Sequence, residues 1–313
     1  MTELSITGLG VYLPRRSLDN AELPALDQPH TRAEMDAVGV LRRGVACDDE
    51  GVLEMAVASA RAALSEARVT AAELDFIVLA NWTERRYVPD FAPKIQQALG
   101  AERAFAFDVC GACCGFLYGL SLAQGYLANP RYARGLVIAS DRSTRLIRPR
   151  SRGTLIFGDA AAAAVVERDA KRGIRLLDYE LRTDGARSNL MEVGHDGYLV
   201  SHAKQREVNQ LAVDSLCRVM RDLLARHGMS LSSIDYIVPH SGTPGIQRML
   251  AQALDIDPRR VLTNLPIVGN VTTAAIPVAM RHFLDNGPLA PGQLLLSAAV
   301  GLGWNYAGAL FSL

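Results

Sequence analysis

Short apolar runs and longer amphipathic stretches alternate along this chain from end to end. Residues 74–78, 104–109, 135–140, 234–238 and 293–298 are runs a few residues long, dominated by Val, Ile, Leu, Phe and Ala. Such runs read as strands covered on both faces, the environment of a parallel sheet. Between them, 56–67 and 213–226 repeat apolar residues at three- and four-residue spacing, as a helix with one buried face does. A further apolar helix is expected from a small-residue turn near 110 to about Leu127. Strands alternating with helices predict an α/β layered architecture.

The pattern also repeats at about half the chain length. Leu74-Asp75-Phe76-Ile77-Val78 returns as Ile234-Asp235-Tyr236-Ile237-Val238, 160 positions later. Each copy follows an amphipathic helix and leads to another helix, ending Ile95-Gln96-Gln97-Ala98-Leu99 or Leu250-Ala251-Gln252-Ala253-Leu254. Gly135-Leu136-Val137-Ile138-Ala139-Ser140 likewise parallels Gln293-Leu294-Leu295-Leu296-Ser297-Ala298. We expect two duplicated βαβαβ halves, residues 1–167 and 168–313, packed together without a flexible linker. Sites in open parallel sheets lie beyond the carboxyl ends of the strands. That rule singles out the loops at 110–114, 239–243 and 268–273, the last after an expected strand at 261–267.

Composition narrows the class. A chain of 313 residues buries a large core without disulfide or metal staples. Its 33 basic and 33 acidic residues balance, which argues against a nucleic-acid partner. Five irregularly spaced cysteines fit a reducing compartment better than a disulfide framework. The chain runs from Met1 into a strand pattern without a basic head, and no window reaches membrane-spanning length. A cytoplasmic protein with no membrane partner is expected.

The loops at the strand ends carry the candidate chemistry. Cys113 lies where a strand turns into a helix, and the positive end of the helix dipole there favours the thiolate. The dipole contributes at most ~2 kcal/mol, so a second activating group is required. His240 follows directly on the run ending at Val238; a buried structural histidine would read the same way. Asn270, in Gly269-Asn270-Val271-Thr272-Thr273, suits a turn or cap, and equally a donor to a carbonyl gaining charge. His227 reads as a helix-end cap. Cys110, Cys113 and Cys114 lack the second ligand pair of a zinc site, so no metal is expected, while Cys110-Gly111-Ala112-Cys113 matches a redox spacing only formally. Phe157-Gly158-Asp159-Ala160 reads as a structural turn into a strand, and the five arginines from Arg142 to Arg152 read as a solvated surface suited to phosphates or acidic partner helices.

Taken together, these segments resemble the β-ketoacyl-ACP synthase III enzymes of the thiolase superfamily. The resemblance rests on Asp108-Val109-Cys110-Gly111-Ala112-Cys113-Cys114-Gly115-Phe116, on Val238-Pro239-His240, and on Gly269-Asn270 with Ala274-Ala275-Ile276-Pro277. Arg152-Gly153-Thr154, Phe157-Gly158-Asp159 and the segment 301–306 match in order and spacing, so it spans essentially the whole chain. It implies a homodimeric thiolase-like fold, with the two halves forming a layered α-β-α-β-α core. It implies an acyltransferase without a tightly bound cofactor, whose substrates are CoA or phosphopantetheine thioesters and whose partner is an acyl carrier protein. Cys113 would take an acyl group, His240 and Asn270 would promote decarboxylation of a malonyl thioester, and the carbanion equivalent would attack the acyl-cysteine. The backbone N–H groups of Cys113 and Leu302 would form the oxyanion hole, Arg152 would bind CoA or carrier protein, and Trp82, Tyr87 and Val88 would line the acyl pocket. Departures from the family pattern point to specialised, polyketide-like or fatty-acid-derived biosynthesis. Ala33 and Ala37 replace an adenine clamp, Ser241-Gly242-Thr243 follow the histidine, Gly245 replaces a carrier-binding arginine, and Leu302 replaces a glycine. The same departures leave two alternatives: transfer of the acyl group to an O, N or thiol acceptor without decarboxylation, and a non-catalytic thiolase-fold partner subunit.

Overall fold

The computed structural model describes residues 3–26, 30–84, 86, 88–240 and 242–313. In chain order the first part contains β1 (Leu4–Tyr12), β2 (Ser17–Asp19), α1 (Arg32–Val38), β3 (Arg42–Gly44), α2 (Val52–Ala67), β4 (Phe76–Ala80), α3 (Ala92–Leu99), β5 (Phe105–Val109), α4 (Gly115–Leu127), β6 (Arg134–Asp141) and β7 (Ala160–Arg168). The remainder contains β8 (Ile174–Thr183), β9 (Met191–Val193), β10 (Leu199–Ser201), α5 (Gln205–Arg226), β11 (Tyr236–Pro239), α6 (Pro244–Leu254), α7 (Leu265–Val268), α8 (Ala275–Asn286), β12 (Leu294–Gly301) and β13 (Asn305–Ser312). Nine strands form one sheet in the order β11-β12-β13-β8-β1-β7-β6-β4-β5. Its middle is a short seam, three residue pairs between β1 and β8, with pseudo-equivalent strands to either side.

Alternating side chains build the layers. Phe76 and Val78 of β4, Ala162 and Ala164 of β7, and Ala307 and Phe311 of β13 point into a central cluster around α4 and α8. Their neighbours Ile77, Leu79, Ala163 and Val165 pack instead against α2 and α3. On the other side Leu296, Ala298 and Leu310 pack against α5 and α6. Helix, sheet, paired helices, sheet and helix therefore follow one another, the thiolase-like α/β layering. Close approach requires Gly8 and Gly10 on β1, because a Cβ at either would lie 2.2 Å from a carbonyl oxygen of α2.

Three expectations change. The strands are parallel only towards the sheet's two ends, where β4 pairs with β5 and β6, and β11 with β12. Towards the middle the pairing is antiparallel, because β12 returns as β13 through the tight turn Leu302–Trp304. Residues 261–267 do not form a strand. Val261 makes one bridge to Ile237, and the segment then coils into α7, whose first turn holds Pro266. Finally, β5 is half-buried rather than buried, because it forms the outer strand of the sheet.

Candidate active site

The parallel strands deliver the candidate residues to one edge. Trp82 follows β4, Cys113 follows β5, His240 follows β11, Gly301 ends β12 and Leu302 opens the turn after it. A cavity of about 130 Å³ opens there, lined by Cys113, His240, Asn270, Trp82, Leu302 and Gly301. Ile156 and Phe157 close one side, and Val208, Ala212 and Leu216 of α5 close another. Three side chains remote in sequence thus share one mostly apolar space.

Cys113 sits in a single 3-10 turn, Ala112–Cys114, immediately before α4. Ala112 takes the left-handed conformation, φ 45°, which turns the chain sharply out of β5. The thiol is 7% exposed, and burial, with the Asp141 charge adding to it, pushes it up to about 12. Its own backbone N–H pulls it back only in part. The pull of the helix start towards the thiolate is thus outweighed, in line with the need for a second activating group. Desolvation of a buried thiol amounts to several pKa units, more than a helix terminus returns. The free protein holds a thiol, and deprotonation requires a base at the moment of attack.

His240 supplies a neutral imidazole. Burial lowers it to about 4, and its Nδ1 has no hydrogen-bond partner among the described residues. Its backbone N–H donates to the Ala298 carbonyl at 2.8 Å, tying it to the end of β12. Asn270 is held by the backbone: its N–H donates to Ile156 O at 2.7 Å, and its carbonyl accepts from Gly158 N–H at 3.1 Å. The Asn270 Oδ1 accepts from Thr272 N–H at 3.0 Å, so Nδ2 is the atom left to the cavity side, where it reaches Gly242 O at 3.3 Å. At the third corner a Cβ on Gly301 would lie 2.8 Å from the Cys113 nitrogen, so the glycine leaves clear space in front of that N–H. Gly303, φ 74°, and the Asn305 Nδ2 bond to Leu302 O at 2.9 Å shape the following turn.

Other expected residues lie elsewhere. Val88 is 92% exposed and does not line the cavity of a single chain; Tyr87 lies outside the described residues. Arg152 is exposed, on the 3-10 turn Arg152–Leu155 that leads to Ile156 and Phe157, and is absent from the cavity wall. The arginine run is not uniformly solvated. Arg142 is buried against Glu84 at 3.5 Å and the Ala46 carbonyl, because it directly follows the buried Asp141. Cys114 faces away from the cavity wall, its Sγ within reach of the Asn305 and Ala299 carbonyls. His227 caps α5 as expected and meets Asp178 at 3.0 Å. Among the described residues, Cys47, Asp49 and Glu50 are close enough together to hold a cation, but Arg15 already pairs with both carboxylates and the trio lies outside the cavity.

Sequence reasoning missed Asp141, Thr272, Thr273 and the α5 face. An offset of 160 positions matches Cys113 with Thr273, but the pairing of 135–140 with 293–298 is two residues out of register: Phe76 pairs with Gly135 and Tyr236 with Leu295, so Asp141 corresponds to Gly301. The α5 face was missed because the helix begins at Gln205, eight residues before the amphipathic period becomes clear.

Comparison with known proteins agrees with this geometry. Residues 107–185 match the family model of 3-oxoacyl-[acyl-carrier-protein (ACP)] synthase III, and residues 224–313 match its C-terminal model. The β-ketoacyl-[acyl-carrier-protein] synthase III of Hyphomonas neptunium is 34% identical over 319 positions, covering 98% of each chain. The crystal structure of 3-oxoacyl-[acyl-carrier-protein] synthase III from Aquifex aeolicus superposes with a TM-score of 0.92 at 30% identity, covering 100% of both chains. The priming β-ketosynthase of the R1128 polyketide pathway superposes with a TM-score of 0.90 at 27% identity, covering 99% of this chain and 96% of its own. With its layered fold, its strand-end cavity and relatives matched along their full length, this chain belongs to the 3-oxoacyl-[acyl-carrier-protein] synthase III family of condensing enzymes.

Proposed function

We propose that the protein condenses an acyl group held on Cys113 with a malonyl thioester. The observation that carries this reading is the shared cavity of Cys113, His240 and Asn270. In the first half-reaction His240 accepts the Cys113 proton as sulfur attacks the acyl thioester, and the donor thiol leaves with a proton. The tetrahedral oxygen gathers charge against the Cys113 and Leu302 N–H groups, where Gly301 leaves room. In the second, the malonyl thioester loses CO2, and the electron pair released forms a thioester enolate. A donor N–H of the neutral His240 imidazole and the Asn270 Nδ2 stabilise its oxygen. The enolate carbon attacks the acyl-cysteine, the C–S bond breaks, and the Cys113 thiolate leaves and takes up a proton from water, which restores the free thiol.

Acyl carrier protein as partner is supported by the family membership and the names of its relatives, and acyl-CoA is our proposal for the donor. Arg152 stays a candidate contact for either, being exposed on the segment that leads into the cavity. A homodimer is supported by β5, an outer strand whose Phe105 and Phe107 cluster with Tyr126 and Tyr132 while only partly buried. The likeness to a priming ketosynthase of a polyketide pathway, together with Ala33, Ala37 and Gly245, supports a role in specialised biosynthesis. The test is direct. Mixed with an acyl-CoA panel and malonyl-ACP, the protein should acquire the acyl mass on Cys113, release CO2 and form a β-ketoacyl product. Acylation without CO2 release, with the acyl group appearing on another acceptor, would replace condensation by simple acyl transfer.

A further inference from the structure

The turn that presents Cys113 has a structural twin. Gly111–Cys114 corresponds to Val271–Ala274, 160 positions later, and Ala112 and Thr272 both take left-handed conformations, φ 45° and 49°. The turns close alike, Cys114 N–H to Gly111 O at 3.0 Å and Ala274 N–H to Val271 O at 3.1 Å. Thr273 is therefore the twin of Cys113, and Asp141, the last residue of β6, is the twin of Gly301, the last residue of β12. In front of the Cys113 N–H the glycine leaves space. In front of the Thr273 N–H the corresponding space is filled by the Asp141 carboxylate.

That carboxylate is fully satisfied. Oδ2 accepts from Thr272 Oγ1 at 2.6 Å and Thr273 N–H at 3.1 Å. Oδ1 accepts from Thr83 Oγ1 at 3.1 Å and Trp82 N–H at 3.2 Å. The residue is 0% exposed. The two threonines it grips have their remaining polar groups on the active site. Thr272 N–H donates to Asn270 Oδ1, and Thr273 Oγ1 donates to the Ala112 carbonyl at 3.1 Å, on the turn that holds Cys113.

We propose that Asp141 is a positioning residue, whose carboxylate fills the twin of the oxyanion space and thereby fixes which end of the Asn270 carboxamide faces the substrate. The physical reason is the direction of one hydrogen bond. Thr272 N–H can only donate, so the carboxamide must turn its oxygen there and its NH2 towards the cavity. If Thr272 slackens, the amide can rotate by half a turn and present its oxygen to the thioester oxygen, which repels charge instead of stabilising it. The role rests on the reading of Asn270 given under Proposed function.

Asp141→Asn tests it, since an amide of the same shape sets an NH2 against donors that need an acceptor. Two steps are measured on the full-length protein: Cys113 acylation by acetyl-CoA, followed by intact mass, and CO2 release from malonyl-ACP by the pre-acylated enzyme. We expect the second to fall at least about tenfold with KM for malonyl-ACP changed less than about threefold, and the first to rise or to fall by less than about threefold, since removing the Asp141 charge also eases deprotonation of Cys113. Thr272→Val leaves Asp141 in place but removes one of its four donors, and should give a smaller loss confined to the same step. It serves as the test if Asp141→Asn does not fold. Equal losses in both steps, or no loss in the second, overturn the proposal. A wild-type acyl-enzyme that itself releases no CO2 sinks the condensation reading instead, whereas a condensing wild type beside an unimpaired variant sinks only the positioning role.

Discussion

Iodoacetamide labelling of Cys113 as a function of pH measures how strongly the fold suppresses this nucleophile. The structure sets the thiol at about 12, chiefly through burial. At about pH 7.5 an ordinary thiol, with a pKa near ~8.5, is roughly one-tenth thiolate; one at about 12 is thiolate in on the order of one molecule in 30,000. The thiolate population therefore falls by about three and a half orders of magnitude. A more basic thiolate attacks faster, which returns roughly one and a half of these at a Brønsted slope of ~0.4–0.5. The net expectation is alkylation about 100-fold slower than for an unhindered thiol, rising tenfold per pH unit from about pH 7 to 10. Peptide-resolved mass spectrometry separates Cys113 from Cys110, which is exposed and serves as reference in the same sample. A Cys113 profile that levels off below about pH 9 would refute the reasoning, because it would mean that the turn before α4 stabilises the thiolate more than burial penalises it.

Three further outcomes are expected. Gly301→Ala should slow Cys113 acylation by about 100-fold or more, because its Cβ would sit 2.8 Å from the Cys113 nitrogen and 3.0 Å from the Ala112 Cβ; acylation at the wild-type rate would show that no substrate oxygen uses that space. Asn270→Ala should leave acylation within a few-fold while malonyl decarboxylation falls by about 10²–10³, read as CO2 release from the pre-acylated enzyme; equal losses in both steps would contradict the division of labour. Glu50 tests the link between charge and stability. Burial pushes its carboxyl up, but hydrogen bonds from the Tyr12 hydroxyl and the Cys47 and Arg15 N–H groups outweigh it and hold the group at about 2. A folded-state value below the ordinary ~4.3 adds stability above the ordinary pKa, which is lost as pH falls through about 4 to 2; Glu50→Gln should therefore cost up to about 3 kcal/mol at pH 7 in urea unfolding, and progressively less towards pH 2.

Much of this was legible along the chain because it depends on local periodicity. The buried runs at 74–78 and 135–140, the turn at 110–114 and the offset of 160 follow from spacing alone, and they place Cys113 and His240 at strand ends. The family motifs carried the rest of the triad. Residues 261–267 misled because an apolar run does not distinguish a strand from a short helix, and Pro266 tipped the segment into α7. Motif alignment places Val88 along the chain without saying which surface it faces, and only the folded chain shows it facing outwards.

Tertiary structure alone decided the properties that depend on environment. A helix start suggests an activated thiol, but desolvation in the assembled cavity reverses that sign for Cys113 and holds His240 neutral. The register of β4 with β6 and of β11 with β12 makes Asp141 and Gly301 equivalents. Only the packed halves show one filling a pocket that the other leaves empty, because hydrogen bonds and excluded volume act between residues more than a hundred positions apart.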